Sequence, residues 1–155
     1  MKITDKLNRI LVMPYKDTDA KTALVIGHAQ HGKTAVSRVL AAALGVECIS
    51  SSLYAGQSFV YPALRHAGLW HNFSECYADR VHHRRLWSGM IAAYCRDDKA
   101  RVLRSATQAG YSIVDGVRRP DELYAALDER LFDLIYYVDA TARKPADSSM
   151  EISIG

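Results

Sequence analysis

Residues 27–34 read G-H-A-Q-H-G-K-T, which matches the pattern G-x-x-x-x-G-K-[ST]. The apolar run A-L-V-I at residues 23–26 predicts a short buried strand before them, and residues 35–44 repeat apolar side chains at helical spacing. In such a strand–loop–helix unit, backbone N–H groups converge at the helix N-terminus, where the partial positive charge favours an anion. The stretch therefore predicts a loop that binds the phosphates of a nucleoside triphosphate. A chance glycine turn before a lysine is the alternative, and the flanking pattern disfavours it.

The positions of this loop have different expected roles. Gly27 and Gly32 permit the tight backbone turns, Lys33 reaches the terminal phosphates, and Thr34 offers a hydroxyl to Mg²⁺. The other loop residues contact the phosphates through the backbone, and no side-chain chemistry is assigned to them: His28, Ala29, Gln30 and His31. The expected ligand is ATP with Mg²⁺.

Length and composition indicate one domain. The chain has 155 residues, of which 49% are hydrophobic, and so can bury a sizeable core. It contains no run of 18 apolar residues and no charged-then-apolar leader, so we expect a soluble intracellular protein with no membrane partner. The three cysteines are widely separated and match no metal spacing, which indicates reduced thiols. The net charge of +3 is carried mostly by arginine, which favours a phosphate-rich ligand.

Predicted strands alternate with predicted helices. The strands are expected at residues 22–26, 46–50, 111–114 and 131–138. The helices are expected at residues 33–44, 57–66, 74–96, 120–127 and in a segment that Asp97 or Asp98 caps and that ends at Gly110. This alternation predicts an α/β, three-layer P-loop NTPase or kinase fold with a mostly parallel sheet. Residues 1–21 are expected to form an N-terminal arm or an edge strand, and residues 22–155 the domain.

The predicted helix at residues 74–96 carries two unusual arginines. Steps of 100° per residue place Arg80 and Arg84 on its apolar face, and place Asp79 elsewhere. An arginine inside an apolar stripe is costly unless an anion pairs with it, which predicts substrate phosphate binding by both residues. Snorkelling or a structural salt bridge is the alternative for each arginine. Together the pair favours a functional role.

The third predicted strand ends at Asp115, where ligands of a parallel sheet bind. A carboxylate there can hold Mg²⁺ or accept a proton from an attacking hydroxyl, and an Asx turn with Gly116 is the alternative. Arg118 or Arg119 is expected to neutralise charge on a transferred phosphoryl group. Ser51 belongs to the S-S-S run at residues 50–52, which is either a substrate-side hydrogen-bonding group or a polar strand exit.

Two further assignments are simpler. Asp121 and Glu122 follow Pro120 and are expected to be first-turn acids that complement the helix dipole. Arg143 follows the fourth strand, where a nucleotide base or ribose commonly lies, and is therefore a candidate ATP contact.

Several of these segments together resemble one family. They are the phosphate loop, S-S-S, E-C-Y-A-D-R-V-H-H-R-R-L-W at residues 75–87, D-D-K-A-R at residues 97–101 and D-G-V-R-R-P-D-E-L at residues 115–123. The combination resembles bacteriophage P-loop kinases related in fold to deoxynucleoside monophosphate kinases, and most resembles those that phosphorylate 5-hydroxymethyluracil already incorporated in phage DNA. The resemblance spans about residues 23–152. The loop is generic to many NTPases, and residues 75–87 are the more particular part.

The resemblance implies transfer of the ATP γ-phosphoryl group to the hydroxymethyl oxygen of the base. Lys33, Asp115, Arg84 and Arg118 would be catalytic, and Asp115 is preferred to Asp79 as the base. The partner would be DNA that contains a modified pyrimidine, either flipped out or single-stranded. Other base-modification enzymes are possible partners, and the site of action would be the cytoplasm of the phage's host.

Two other functions stay open. A deoxynucleoside monophosphate kinase would use Arg80 and Arg84 to clamp the acceptor phosphate, although residues 115–139 leave little room for an arginine-rich lid. A non-catalytic nucleotide-binding module or GTPase-like switch is the other. Residues 138–144 read V-D-A-T-A-R-K and lack N-K-x-D, and D-G-V-R is not D-x-x-G, so the motifs disfavour it.

Overall fold

The computed structural model describes residues 21–28 and 31–138, and its centre is a parallel sheet. Four strands lie in the order β2-β3-β1-β4, namely β1 (Ala23–Gly27), β2 (Cys48–Ser50), β3 (Ile113–Asp115) and β4 (Leu134–Val138). Every pairing is parallel, with Val25 opposite Asp115 and Asp115 opposite Ser50. The prediction of an α/β fold with a parallel sheet is thus confirmed.

Helices flank both faces of this sheet because its strands are apolar on both sides. Helix α1 (Lys33–Leu44) covers the face that carries Ala23, Val25 and Ile113. The opposite face carries Leu24, Ile26 and Val114 and packs against the other helices named next. These are α2 (Ser51–Ala55), α6 (Arg101–Gln108) and α7 (Pro120–Asp128). Each fully buried aliphatic side chain stabilises the fold by about 1.5–3 kcal/mol.

The strand order creates a crevice at the carboxyl ends of β1 and β3. The connection from β1 leads past β3 to β2, whereas the connection from β3 leads past β1 to β4. The helices that follow these two neighbouring strands therefore lie on opposite faces of the sheet, and ligands of such sheets bind where the strand order reverses.

A second buried region, which we call the helical cluster, is formed around Val60, Cys76 and Trp87. Its backbone consists of a π-helical segment (Gly56–Val60) that continues α2, then α3 (Tyr61–Leu64), a 3₁₀ turn (Arg65–Ala67), α4 (Phe73–Asp79) and α5 (Arg84–Tyr94). Gly56 lies against the Trp87 ring, where a Cβ atom would come within 2.9 Å of Cη2. Only glycine permits this approach.

The predicted single helix at residues 74–96 is wrong, because the chain turns between α4 and α5. The Asp79 carboxylate accepts hydrogen bonds from Trp70 Nε1 at 3.0 Å and pairs with His83 Nε2 at 3.1 Å. These contacts anchor the turn, and Val81 within it is 47% exposed. The 100° count therefore does not carry across the break.

Two helix starts also differ from the sequence predictions. Helical structure after β2 begins at Ser51, not at residue 57, and Ser50 caps it by accepting the Leu53 N–H at 3.2 Å. Helix α6 begins at Arg101 without a side-chain cap. Asp98 instead forms a bidentate ion pair with Arg104, at 2.6 and 3.0 Å, so the predicted Asp97 or Asp98 cap is wrong.

Candidate functional site

The loop between β1 and α1 depends on two glycines. Gly27 has a φ of 145°, and a Cβ atom there would lie 2.3 Å from the Val138 carbonyl oxygen. Gly32 has a φ of 86° and immediately precedes the first residue of α1. Both positions therefore require glycine, the first because β4 lies so close and the second because the backbone is left-handed.

Lys33 folds back across this loop. Its Nζ donates a hydrogen bond to the His28 carbonyl oxygen at 2.6 Å. The His28 and His31 rings meet edge to face with centroids 5.3 Å apart, and His31 is 6% exposed. Ala29 and Gln30 lie outside the described residues. The ammonium group is consequently held at the mouth of the loop, next to the helix N-terminus.

Asp115 lies beside the first turn of α1, as its position at the end of β3 predicts. It is 3% exposed. Burial raises the pKa of its carboxyl group, whereas hydrogen bonds with Ser37 and Thr34 and the positive charge of Lys33 lower it. A buried carboxyl group is costly unless it is satisfied by such partners. The sheet thus brings the predicted metal-binding pair, Thr34 and Asp115, into contact.

This pair fits Mg²⁺ bound with a triphosphate. Among residues 21–28 and 31–138, no three His, Cys, Asp or Glu side chains cluster as a complete metal site. Mg²⁺ in such sites takes one or two protein oxygen ligands, and phosphate and water supply the others. The Thr34 hydroxyl group and the Asp115 carboxylate could therefore supply the one or two oxygen ligands that the protein contributes.

A cavity of about 640 Å³, the cationic cleft, lies on the other side of the β3 end. Its cationic lining residues are Arg80, Arg84, Arg85, Lys99, Arg118 and Arg119. Its apolar lining residues include Val81, Trp87, Ile91, Val102 and Leu103. Gly116, which follows Asp115 in the chain, also lines it. The cleft therefore adjoins the predicted metal-binding pair through the consecutive residues Asp115 and Gly116.

Arg80 and Arg84 both line this cleft, but they do not belong to one helical stripe. The Arg80 guanidinium lies 3.8 Å from the centroid of the Tyr77 ring, and its Nη1 donates to the Tyr77 carbonyl oxygen at 2.7 Å. Arg84 is exposed at the first position of α5. The geometric argument for these arginines was wrong, although the structure brings the two residues to the same cavity.

The arginines after β3 differ from each other. Arg118 is exposed at the cleft. Arg119 also lines the cleft and forms an ion pair with Asp121, with Nη2 3.0 Å from Oδ2. Ser51 lines the cleft beside Gly116, where an added Cβ atom would lie 3.2 Å from the Ser51 Oγ. Arg143 lies outside the described residues.

Glu122 is the residue that sequence reasoning missed. It lies in the first turn of α7, as expected, but it also lines the cleft. Burial raises the pKa of its carboxyl group to about 7; Asp121 adds to this rise, and Arg119 and Lys99 oppose it. The residues around it, P-D-E-L at the start of a helix, are equally typical of a solvent-exposed acid. The sequence therefore contains no signal that Glu122 is partly buried.

Asp79 has a structural role at the turn between α4 and α5. The hydrogen bond from Trp70 is the main cause that lowers the pKa of its carboxyl group, and His83 contributes to the same effect. It does not belong to the residues that line the cleft. This agrees with the preference for another residue as the proton acceptor.

No protein-family model matches this sequence, and comparisons with curated proteins and with solved structures also give no match. Within residues 21–28 and 31–138, no helix has the length and apolar character needed to cross a membrane.

Proposed function

We propose that the protein is an ATP-dependent kinase with a P-loop fold, and that it transfers the γ-phosphoryl group to 5-hydroxymethyluracil in DNA. The observation that carries this proposal is the junction at the end of β3. Asp115 contacts the first turn of α1, and the next residue, Gly116, lines the cationic cleft. Phosphoryl transfer requires a triphosphate site and an acceptor site in this relation, because the acceptor must meet the γ-phosphate in line.

On the nucleotide side, the loop N–H groups and Lys33 bind the phosphates. The Lys33 ammonium exchanges the His28 carbonyl oxygen for phosphate oxygens, which are stronger partners because they are charged. Thr34 and Asp115 hold Mg²⁺, which when bound neutralises charge on the β- and γ-phosphates.

On the acceptor side, the charge of the cleft favours DNA. Six cationic residues line it, more than one phosphate monoester needs for neutralisation, whereas a DNA strand presents several phosphates. The apolar lining suits a base that has left its stack, since a base inside a duplex cannot present its hydroxymethyl group to a cavity. Arg84 and Arg118, which both line the cleft, would contact the acceptor phosphates and the transferred group.

The volume of the cleft favours a second candidate, a deoxynucleoside monophosphate kinase. About 640 Å³ lies within the usual range for a small-ligand pocket, so the cavity can enclose a free nucleotide. In that case Arg80 and Arg84 would clamp the single acceptor phosphate.

Transfer of label from [γ-³²P]ATP tests the proposal. The acceptors are single-stranded DNA with hydroxymethyluracil, the same DNA with thymine, and each deoxynucleoside monophosphate, including hydroxymethyl-deoxyuridine monophosphate. We expect label only on the first DNA, with loss in Lys33→Ala and retention in Lys21→Ala, which removes an exposed lysine outside the site. Label on free nucleotides alone identifies the second candidate. Label on none of these acceptors contradicts both.

A further inference from the structure

The cationic cleft contains one carboxyl group among its described lining residues, that of Glu122. Helix α7 positions it, because Leu123 and Ala126 are buried in the sheet core and fix the rotation of the helix about its axis. The described residues give the Glu122 carboxyl group no side-chain hydrogen bond; its neighbours act on it through charge alone. A partly buried carboxyl group without such a partner is costly to a fold, which indicates a ligand as its partner.

We infer that Glu122 is a catalytic residue that binds the acceptor hydroxyl and takes its proton during transfer. The inference rests on the proposed kinase function and deepens it, because it selects the chemical class of the acceptor. An alcohol donates a hydrogen bond to a carboxylate. A phosphate monoester acceptor is mostly a dianion at neutral pH, because its second pKa is about 6, and the carboxylate would repel it.

The other carboxyl groups near the site are committed elsewhere. Asp115 is turned toward Ser37 and Thr34, and Asp79 is engaged by Trp70 and His83. Neither of them lines the cleft. Among the described residues, Glu122 is the one carboxyl group that lines the cleft together with Arg118.

The step conserves atoms and charge. The hydroxyl proton passes to the Glu122 carboxylate as the oxygen forms a bond to the γ-phosphorus. The bond from that phosphorus to the bridging oxygen breaks, and its electron pair leaves on ADP. The protonated Glu122 then returns its proton to water.

The surroundings of Glu122 match its pKa to this task. Burial raises this pKa most, and Asp121 on the same turn raises it further, whereas Arg119 and Lys99 lower it. The Glu122 charge in turn contributes to the raised pKa of the buried Cys95 thiol, which follows α5. The outcome, a pKa of about 7, suits a proton acceptor that operates near neutral pH.

Two readouts separate this inference from the kinase proposal. The first is binding of fluorescein-labelled single-stranded DNA with one hydroxymethyluracil or one thymine, measured by anisotropy at pH 8 without ATP. The parent should prefer hydroxymethyluracil by about tenfold. Glu122→Leu should lose the preference, and Asp121→Asn, which removes the neighbouring charge outside the cleft lining, should keep it. Equal binding of both DNAs by the parent would overturn the inference, whether or not phosphate is transferred.

The second readout is the pH profile of transfer. In the parent, kcat/KM should rise with pH through about 7, because only the ionised carboxylate accepts the proton. Glu122→Gln should lose about 100-fold in kcat at pH 8 and lose this rise, with the acceptor KM and acceptor-independent ATP hydrolysis within a few fold of the parent. A Gln variant that keeps the parent's kcat and profile would overturn the assignment. A parent with the hydroxymethyl preference but no transfer would support the contact between Glu122 and the hydroxyl, and would contradict both the kinase proposal and the proton transfer to Glu122.

Discussion

The loop between β1 and α1 and the cationic cleft lie on two sides of the β3 end, but different kinds of contact build them. The loop is local: Gly27 to Thr34 follow one strand, and Asp115 comes from its direct neighbour in the sheet. The cleft combines residues of α5, α6, α7 and their connections, and the helical cluster holds one wall of it. Removal of the Lys33 side chain should therefore affect chemistry more than stability, whereas changes in the helical cluster should affect stability and acceptor binding together.

The largest effect is expected at Lys33. Lys33→Ala should reduce phosphoryl transfer by about 100-fold or more, because it removes a charge from the phosphates that react. The free energy of unfolding should stay close to that of the parent, since Lys33 belongs to neither sheet core cluster. Transfer kinetics together with urea denaturation check both parts. Transfer near the parent rate would show that this loop is not the triphosphate site.

The next effect concerns the dependence of the unfolding free energy on pH, which the Glu122 carboxyl group in the cleft should cause. The pKa of Glu122 is about 7 in the folded protein against 4.5 for a free side chain, so the folded state holds the proton more tightly. Stability that is present below pH 4.5 is therefore lost as the pH rises to 7. Glu122→Gln should recover at most about 3 kcal/mol at pH 8 and nothing at pH 4.

Urea denaturation of the parent, Glu122→Gln and Asp121→Asn at both pH values measures this difference. Asp121→Asn should bring a smaller gain at pH 8 than Glu122→Gln, since it removes only the charge repulsion with Glu122 and also loses the exposed ion pairs with Arg119 and Lys99. A Gln variant less stable than the parent at pH 8 would show that the Glu122 charge stabilises the fold.

A smaller effect is expected at the helical cluster. In Gly56→Ala, the new Cβ atom would meet the Trp87 ring at 2.9 Å and the Phe73 ring at 3.1 Å, so the cluster must shift. We expect a loss of about 1–3 kcal/mol in unfolding free energy and weaker acceptor binding. ATP affinity should not change, because the loop lies on the other side of β3.

Gly89→Ala is the control for stability, because a Cβ atom there meets nothing within 4 Å and alanine favours the helix. If Gly56→Ala weakened ATP binding and acceptor binding equally, the claim that the helical cluster supports only the acceptor site would be contradicted.

The smallest effect is expected at Arg84. Arg84→Met keeps a good helix former at the first position of α5, so stability should be retained. The acceptor KM should rise by about tenfold, because one phosphate contact is lost. Arg96→Met, at an exposed position outside the cleft lining, should leave KM unchanged. An unchanged acceptor KM in both variants would show that Arg84 does not contact the acceptor.

The sequence was sufficient for the sheet and the loop because their signals are local. Residues 23–44 specify strand, turn and helix in order, and Asp115 is the last residue of its strand. The break between α4 and α5 left no such signal, since residues 74–88 contain no glycine or proline and stay amphipathic on both sides. It depends on the contact of Asp79 with Trp70, which precedes it by nine residues and lies outside the helical pattern. The sequence therefore predicts phosphate binding by Arg80 and Arg84 for a mistaken reason, and it predicts for Glu122 only a role at the helix dipole.

Isotope trapping tests most directly whether the loop and the cleft form one site. Protein loaded with Mg²⁺ and [γ-³²P]ATP is mixed with hydroxymethyluracil DNA and a large excess of unlabelled ATP, and the label on DNA is counted after one turnover. If Asp115 and Gly116 join the two sites, the bound ATP should deliver its label to the DNA before it exchanges. DNA that stays unlabelled while labelled ATP returns to solution, at every DNA concentration, would contradict the account.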